Sequence, residues 1–180
     1  SNYNPLFIYG GVGMGKTHLL NAIGIKMQNN LNVMFISAER FMYHFVRSIK
    51  SKDMVNFKDF FRKANVFIID DIQFVRGKEI VQEEFFHTFN ALMDRGSQIV
   101  ISSDRSPSNL DRMQDRIISR LSGGLVVDIQ PPDFELRIKI LEKKFEEIKV
   151  TFGENINLNN EVMNFLASEF QSSLREMIGA

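Results

Sequence analysis

The chain has no cysteine and no tryptophan, and only 4 prolines in 180 residues. Without cysteine there is no disulfide framework and no thiolate-bound zinc, so a reducing, cytoplasmic location is the expectation. No apolar run approaches the ~20 residues that a bilayer-spanning helix needs. No signal-peptide pattern opens the chain either, and a soluble protein with no membrane span is expected. An excess of one charge is also lacking, since 22 Lys and Arg balance 22 Asp and Glu. That balance speaks against a uniformly basic nucleic-acid coat. It hides a local bias, however. Residues 39–63 carry seven basic groups (Arg40, Arg47, Lys50, Lys52, Lys58, Arg62, Lys63) against three acids (Glu39, Asp53, Asp59). Residues 131–180 carry six basic groups against nine acids. A solvated helix face explains such bias as readily as a partner does.

What is present is an ordinary globular composition, 44% apolar and 24% charged, with 17 Phe. The length suits one domain, or one core with a small appendage. Short β-type runs alternate with longer helical patterns. Leu6–Tyr9, Val33–Ile36, Val66–Ile69, Ile99–Ile101 and Leu125–Ile129 read as strands, nearly continuous apolar runs expected to be covered on both faces. Helical patterns run from Lys16 to about Met27, Glu39 to Lys50, Met54 to Lys63, Ile80 to Arg95 and Leu110 to Arg120. This alternation predicts an α/β fold, a five-stranded parallel sheet with helices on both sides. Pro131-Pro132 ends the pattern. Beyond it the chain reads as helix only: Phe134 to about Ile148, a polar loop around Gly153, Asn160 to Phe170, and a last helix opening at Ser173. Ser173 and Glu176 have capping-box spacing. A last helix with so few residues after it, and a chain opening just before its first strand, suggest a fragment.

Gly10-Gly11-Val12-Gly13-Met14-Gly15-Lys16-Thr17 matches G-x-x-x-x-G-K-[ST] between a strand and a helix. Glycines let backbone N–H groups turn toward a phosphate, and the helix start adds its positive dipole end. Lys16 supplies a point charge for the β- and γ-phosphates, and the Thr17 hydroxyl suits Mg²⁺. The bland alternative is a Gly-rich turn before a buried helix. Val66-Phe67-Ile68-Ile69-Asp70-Asp71 is a buried strand delivering two carboxylates. Beside the phosphate loop's strand, Asp70 is expected to reach the Mg²⁺ shell and Asp71 to polarise an attacking water. Alone, such a run is also what a strand-terminal turn looks like. His18, His44 and His87 share no metal-ligand spacing.

These motifs resemble the AAA+ ATPases, and within them the DnaA family of bacterial replication initiators. The resemblance rests on Tyr3-Asn4-Pro5-Leu6, Thr17-His18-Leu19-Leu20, Ser37-Ala38-Glu39-Arg40-Phe41 and Asp70-Asp71-Ile72-Gln73-Phe74. It rests further on the run from Gln82 to Leu92, on Ser103-Asp104-Arg105, on Pro131-Pro132 and on Leu174-Arg175-Glu176. It implies a P-loop core over 1–130 with an initiator-type helical insertion at about 39–63, then a small all-α lid over 131–180, truncated at its end. ATP or ADP with Mg²⁺ (held by Thr17 and Asp70) is the implied cofactor, bound between core and lid. Gly11, Gly13, Gly15, Lys16, Thr17, His18 and Arg175 are implied to bind it, Arg175 as the second sensor. Asp71 is implied as catalytic, with Asp104 as the first sensor and Lys16 and Arg120 assisting, Arg120 being the arginine finger offered to a neighbouring subunit. Arg116, Arg120 and Glu39 are assigned to the subunit interface, and Val46 and Lys78 to single-stranded DNA. Arg116 and Arg120, four apart, share a helix face.

The implied function is ATP-dependent self-assembly into a helical filament on origin DNA, engagement of single strands and unwinding. Slow hydrolysis would reset it. Duplex boxes would be read by a separate C-terminal domain, and the replicative helicase and regulatory proteins would be met through other regions absent here. Two departures from the family pattern stand out: Ile80 replaces an arginine, and Leu121-Ser122-Gly123-Gly124 replaces Phe-Gly-Trp-Gly after the finger. The competing readings are an AAA+ helicase loader, a small-molecule kinase, and a non-catalytic nucleotide-binding interaction module.

Overall fold

The apolar runs form strands and the segments between them form helices. In the computed structural model, which describes residues 3–153, 159–171 and 173–179, the order begins β1 (Leu6–Gly10), α1 (Lys16–Met27), β2 (Val33–Ser37), α2 (Ala38–Lys50), α3 (Met54–Arg62) and β3 (Val66–Asp70). A 3₁₀ turn (Ile72–Val75), α4 (Glu79–Asp94), β4 (Gln98–Ser103), a second 3₁₀ turn (Pro107–Asn109), α5 (Asp115–Ser122) and β5 (Leu125–Ile129) follow. The chain continues with α6 (Phe134–Phe152), α7 (Asn160–Glu169) and α8 (Leu174–Gly179). Contacts divide it into two compact units, Ser1–Gly10 with Lys16–Asp128, and Gly11–Gly15 with Ile129–Ala180. No described helix is long and apolar enough to cross a membrane.

In the first unit the five strands lie in the order β2-β3-β4-β1-β5. β2 pairs parallel to β3, β3 to β4, and β4 to β1, with Ile69 opposite Ile101 and Tyr9 opposite Ser103. β3 therefore does not lie beside β1, as the sequence reading expects: β4 runs between them. The outer strands also depart from the expectation of cover on both faces. Leu125, Val126 and Val127 of β5 and Phe35 of β2 are exposed, because each strand has a neighbour on one side only. The inner strands are sealed, and their alternation sorts the core. Phe7, Phe67, Ile69, Ile99 and Ile101 enter a buried cluster with Phe41, Phe45, Phe57, Phe61, Phe85 and Phe89. Ile68 points the other way, where its Cδ1 reaches Gly24 of α1.

Phe41 ties α2, α3 and α4 together, its ring 5.5 Å from Phe57, 5.1 Å from Phe61 and 6.1 Å from Phe85, all edge-on. Such pairs contribute about 0.5–1.5 kcal/mol each beyond their buried area. Glu84, buried on α4, accepts from Arg62 at 3.3 Å and faces Lys58 at 4.0 Å. The basic segment 39–63 is thus anchored to the core by both aromatic and ionic contacts.

The helix expected from Leu110 begins only at Asp115. Arg112 has φ 54°, a left-handed conformation that no helix tolerates in its interior. Gln82, 1% exposed, explains the fixed geometry there. Its Nε2 donates to Arg112 O and Val75 O, both at 2.9 Å, and its Oε1 accepts Gln114 N–H at 2.9 Å. Gly124 is also required: a Cβ there would run into the backbone of Pro5, whose carbonyl accepts Leu125 N–H at 2.9 Å. That close approach accounts for the second glycine of the divergent Leu121–Gly124 stretch.

In the second unit Leu141, Ala167 and Met177 form a small core. Arg137 donates to Pro132 O at 2.6 Å and Ala167 O at 2.7 Å. Ser173 Oγ accepts Glu176 N–H at 3.3 Å, the capping bond read from the sequence. Gly13 O accepts Leu174 N–H at 3.1 Å, which groups the phosphate loop with α8.

Candidate functional site

The loop Gly11–Gly15 leads from β1 into α1 with Gly13 at φ 79° and Gly15 at φ 89°. A side chain at Gly13 would be strained twice, by its backbone and by Ser173 Oγ, 2.6 Å from where a Cβ would stand. Lys16 opens α1, is 7% exposed, and donates from Nζ to Gly10 O at 2.8 Å. The next residue reaches β3: Thr17 Oγ1 donates to Asp70 Oδ2 at 2.7 Å. Asp70 also accepts the hydroxyl of Ser102, a fully buried residue of β4. The intervening strand therefore does not separate β3 from the phosphate loop's helix. A small hydroxylated residue at its tip bridges the gap. Thr17 and Asp70 offer two hard oxygens in contact, a donor set that fits Mg²⁺ with the remaining positions left to phosphates and water.

Ser102 serves the second acid as well. Its Oγ accepts Asp71 N–H at 2.8 Å. Asp71 itself has φ 58° and ψ 54°, a left-handed conformation that costs an L-residue roughly 1–2 kcal/mol. Such backbone persists where its surroundings hold it and is concentrated at functional sites. Its Oδ1 accepts Gln73 Nε2 at 3.0 Å, while Gln73 Oε1 accepts Asp104 N–H at 3.3 Å.

Asp104 follows β4 and meets Arg105 in a two-pronged contact, Nε to Oδ1 at 2.9 Å and Nη2 to Oδ2 at 2.8 Å. These hydrogen bonds hold the Asp104 carboxyl below the usual carboxylate range; partial burial pushes the other way, and the charges of Arg105, Arg76 and Lys16 reinforce the lowering. Because the folded value lies below the ordinary one, the contact stabilises the fold above the ordinary carboxylate range. That contribution is lost as pH falls through the folded value. Arg105→Ala should return the titration of Asp104 to higher pH, read by side-chain carboxyl NMR. An unmoved midpoint would show that the guanidinium is not the cause.

α5 turns Ile117 and Leu121 inward and leaves Arg116 and Arg120 exposed. The two arginines differ. Arg116 lies over the Phe86 ring at 4.6 Å and donates to Gln114 Oε1 at 2.7 Å. Arg120 makes no side-chain hydrogen bond or ion pair among the described residues. Glu39 is exposed in the first turn of α2, and Val46 is 41% exposed on the same helix. Lys78 precedes α4 and donates to Phe74 O at 2.6 Å; Ile80 is exposed beside it. His18 is exposed on α1, and Arg175 is exposed one residue after the Leu174 that binds the phosphate loop.

Lys16, Thr17, Asp70, Asp71 and Asp104 are thus brought to the carboxyl edge of the sheet. Arg116, Arg120, Glu39, Val46 and Lys78 are placed on the surface. Sequence reasoning passes over Ser102 and gives no role to Gln73 or Arg105, which enter it only within the runs that carry the resemblance. Ser102 carried a signal all the same, because a hydroxyl in a buried apolar strand needs a partner.

A family profile described as the bacterial DnaA ATPase domain matches residues 1–128. Over 183 aligned residues the chain is 54% identical to the chromosomal replication initiator protein DnaA of Rickettsia canadensis, covering 100% of this chain and 38% of that relative. Domain III of the Thermotoga maritima replication initiation protein DnaA is similar in structure, with TM-score 0.90 and 46% identity over 98% of this chain and 73% of that one. A replication initiator DnaA bound to AMPPCP and single-stranded DNA is similar with TM-score 0.88 and 39% identity, over 99% of this chain and 54% of that one. The DnaC helicase loader, at TM-score 0.61 and 18% identity over 71% of this chain, shares the fold alone. The chain spans 38% of the length of the curated relatives it matches.

Proposed function

The chain belongs to the bacterial DnaA ATPase-domain family, and on that premise we propose that it is an ATP-binding switch that assembles with copies of itself on single-stranded origin DNA and is reset by slow hydrolysis. The observation that carries this reading is the Thr17–Asp70 hydrogen bond at 2.7 Å, which joins the phosphate-loop helix to the strand bearing both acids.

Lys16 places its ammonium on the β- and γ-phosphates, and Gly11, Gly13 and Gly15 admit them to the backbone amides. Mg²⁺ held by Thr17 and Asp70 would neutralise charge on the phosphate oxygens. Asp71 accepts a proton from the attacking water, and Asp104 reports on the γ-phosphate. His18 and Arg175 complete the nucleotide's contacts, Arg175 from the unit that also contains the phosphate loop. Arg120 is supplied to the next copy's nucleotide, with Arg116 and Glu39 at the same interface. An isolated copy therefore turns over slowly. Val46, Lys78 and the basic insertion face the DNA strand.

The reading is tested by sedimentation with a single-stranded oligonucleotide in ATP, ADP or no nucleotide. Assembly in ATP alone is the expected result; equal assembly in all three would favour a passive binding module. Lys50, the last residue of α2, and Lys52 just past it, both exposed, should also contribute to the salt dependence of binding. Neutralising one phosphate contact lowers the log–log salt slope by about 0.7 for single strands. An unaltered slope in Lys50→Ala and Lys52→Ala would return the insertion to a merely solvated surface.

A further inference from the structure

We propose that Gln73 is a positioning residue for hydrolysis, its side-chain amide fastening the Asp71 carboxylate to the tip of β4. This rests on the reading of Asp71 as the acceptor of the water's proton and deepens it. Asp71 sits at the only left-handed position between β3 and the following 3₁₀ turn, so its backbone aims the side chain but leaves the carboxylate free to rotate. One contact holds that backbone and a second holds the carboxylate. Ser102 Oγ takes Asp71 N–H at 2.8 Å, and Gln73 Nε2 donates to Asp71 Oδ1 at 3.0 Å. The same Gln73 amide accepts Asp104 N–H through its Oε1 at 3.3 Å.

One side chain thus makes opposite kinds of bond at its two ends, which only an uncharged primary amide of this length provides. A carboxylate at this position would lose the donor and place a second negative charge beside Asp71. A thioether of similar length would lose both bonds. The donor also matters chemically. It occupies Oδ1 of Asp71, and Oδ2 accepts no hydrogen bond from the described residues, which leaves it open to a water. Because its other end is bound to the residue after β4, any displacement of Asp104 by a γ-phosphate is carried to Asp71 through two hydrogen bonds. The sensor and the base then move as one body.

The test uses the full chain with Gln73→Met and Gln73→Glu, compared with the parent and with Asp71→Asn. Affinity is read with a fluorescent ATP analogue and hydrolysis in single turnover on single-stranded DNA. Displacing a reacting group by about 1 Å costs on the order of 10²-fold, so Gln73→Met is expected to hydrolyse roughly 10- to 100-fold more slowly. Its ATP affinity should stay within about twofold, the interaction being absent from binding. Gln73→Glu loses the donor to Asp71 and should likewise hydrolyse more slowly, again with ATP affinity held within about twofold. In Gln73→Met the Asp104 amide, deprived of its acceptor, should exchange with solvent faster, a readout independent of activity. Hydrolysis by Gln73→Met or Gln73→Glu within twofold of the parent overturns the proposal while leaving the nucleotide reading intact. Failure of the parent itself to bind ATP overturns both.

Discussion

Arg120→Ala should bind ATP as tightly as the parent and hydrolyse it about 10³–10⁵-fold more slowly in the DNA-assembled state, the range that an arginine supplied by a neighbour spans in P-loop enzymes. The site of the substitution makes this a clean experiment. α5 is held by Ile117 and Leu121 on its buried face, and Arg120 is exposed on the other. Surface substitutions of this kind change stability by less than about 0.5 kcal/mol. The fork of a guanidinium suits a γ-phosphate, and Arg120 has no partner of its own among the described residues to hold it back. Arg116→Ala is a useful contrast, because that side chain already rests on Phe86 and Gln114 and its loss also removes packing. If the arginine acts on the next copy, mixing Arg120→Ala with Lys16→Ala restores part of the activity: the second variant lends its arginine to nucleotide held by the first. A rate that neither falls in the single variant nor recovers in the mixture would remove the arginine from the reaction.

The second large effect is on binding. Lys16→Ala should weaken ATP by on the order of 10²–10⁴-fold. This follows from two charge-assisted hydrogen bonds to phosphate at roughly 1.5–3 kcal/mol each, with a factor of ten for every ~1.4 kcal/mol. Lys16 is buried at the start of α1 and already directed by its bond to Gly10 O, so little freedom is lost when it turns to a phosphate. Lys16→Arg is not expected to rescue, since a planar fork does not fit the place of a compact ammonium. Fluorescent nucleotide titration reads both variants, with thermal melting of the nucleotide-free chain as the check on folding. Retained affinity in Lys16→Ala would refute the phosphate site.

The strands and most helices are legible in the sequence because each is a short apolar run, or an amphipathic one, bounded by a turn residue. Two features are not, for definite reasons. The helix expected from Leu110 has the right composition, but Gln82, far away in the chain, takes the backbone groups of residues 112 and 114 and delays the first turn to Asp115. The order of the strands is likewise a matter of crossover, and nothing in the apolar runs of β3 and β4 says which will lie beside β1. The principal phosphate and acid residues are legible because glycine, lysine and paired carboxylates have few reasons to occur together. Ser102, Gln73 and Arg105 are ordinary polar residues, and their importance arises only from what they touch.

The place of β4 has an engineering corollary. Ser102, on that strand, touches both acids, and the Asp104 just past it is tied to Asp71 through Gln73, whereas Lys16 and Thr17 belong to a helix that enters from the next strand along. On the proposed reading, the pair Asp71 and Asp104 that acts on the γ-phosphate and the Lys16 that grips it therefore stand on different parts of the chain. A molecular timer with an adjustable period could then be made by altering Gln73 and Asp104, in the turns after β3 and β4, leaving the grip as it stands.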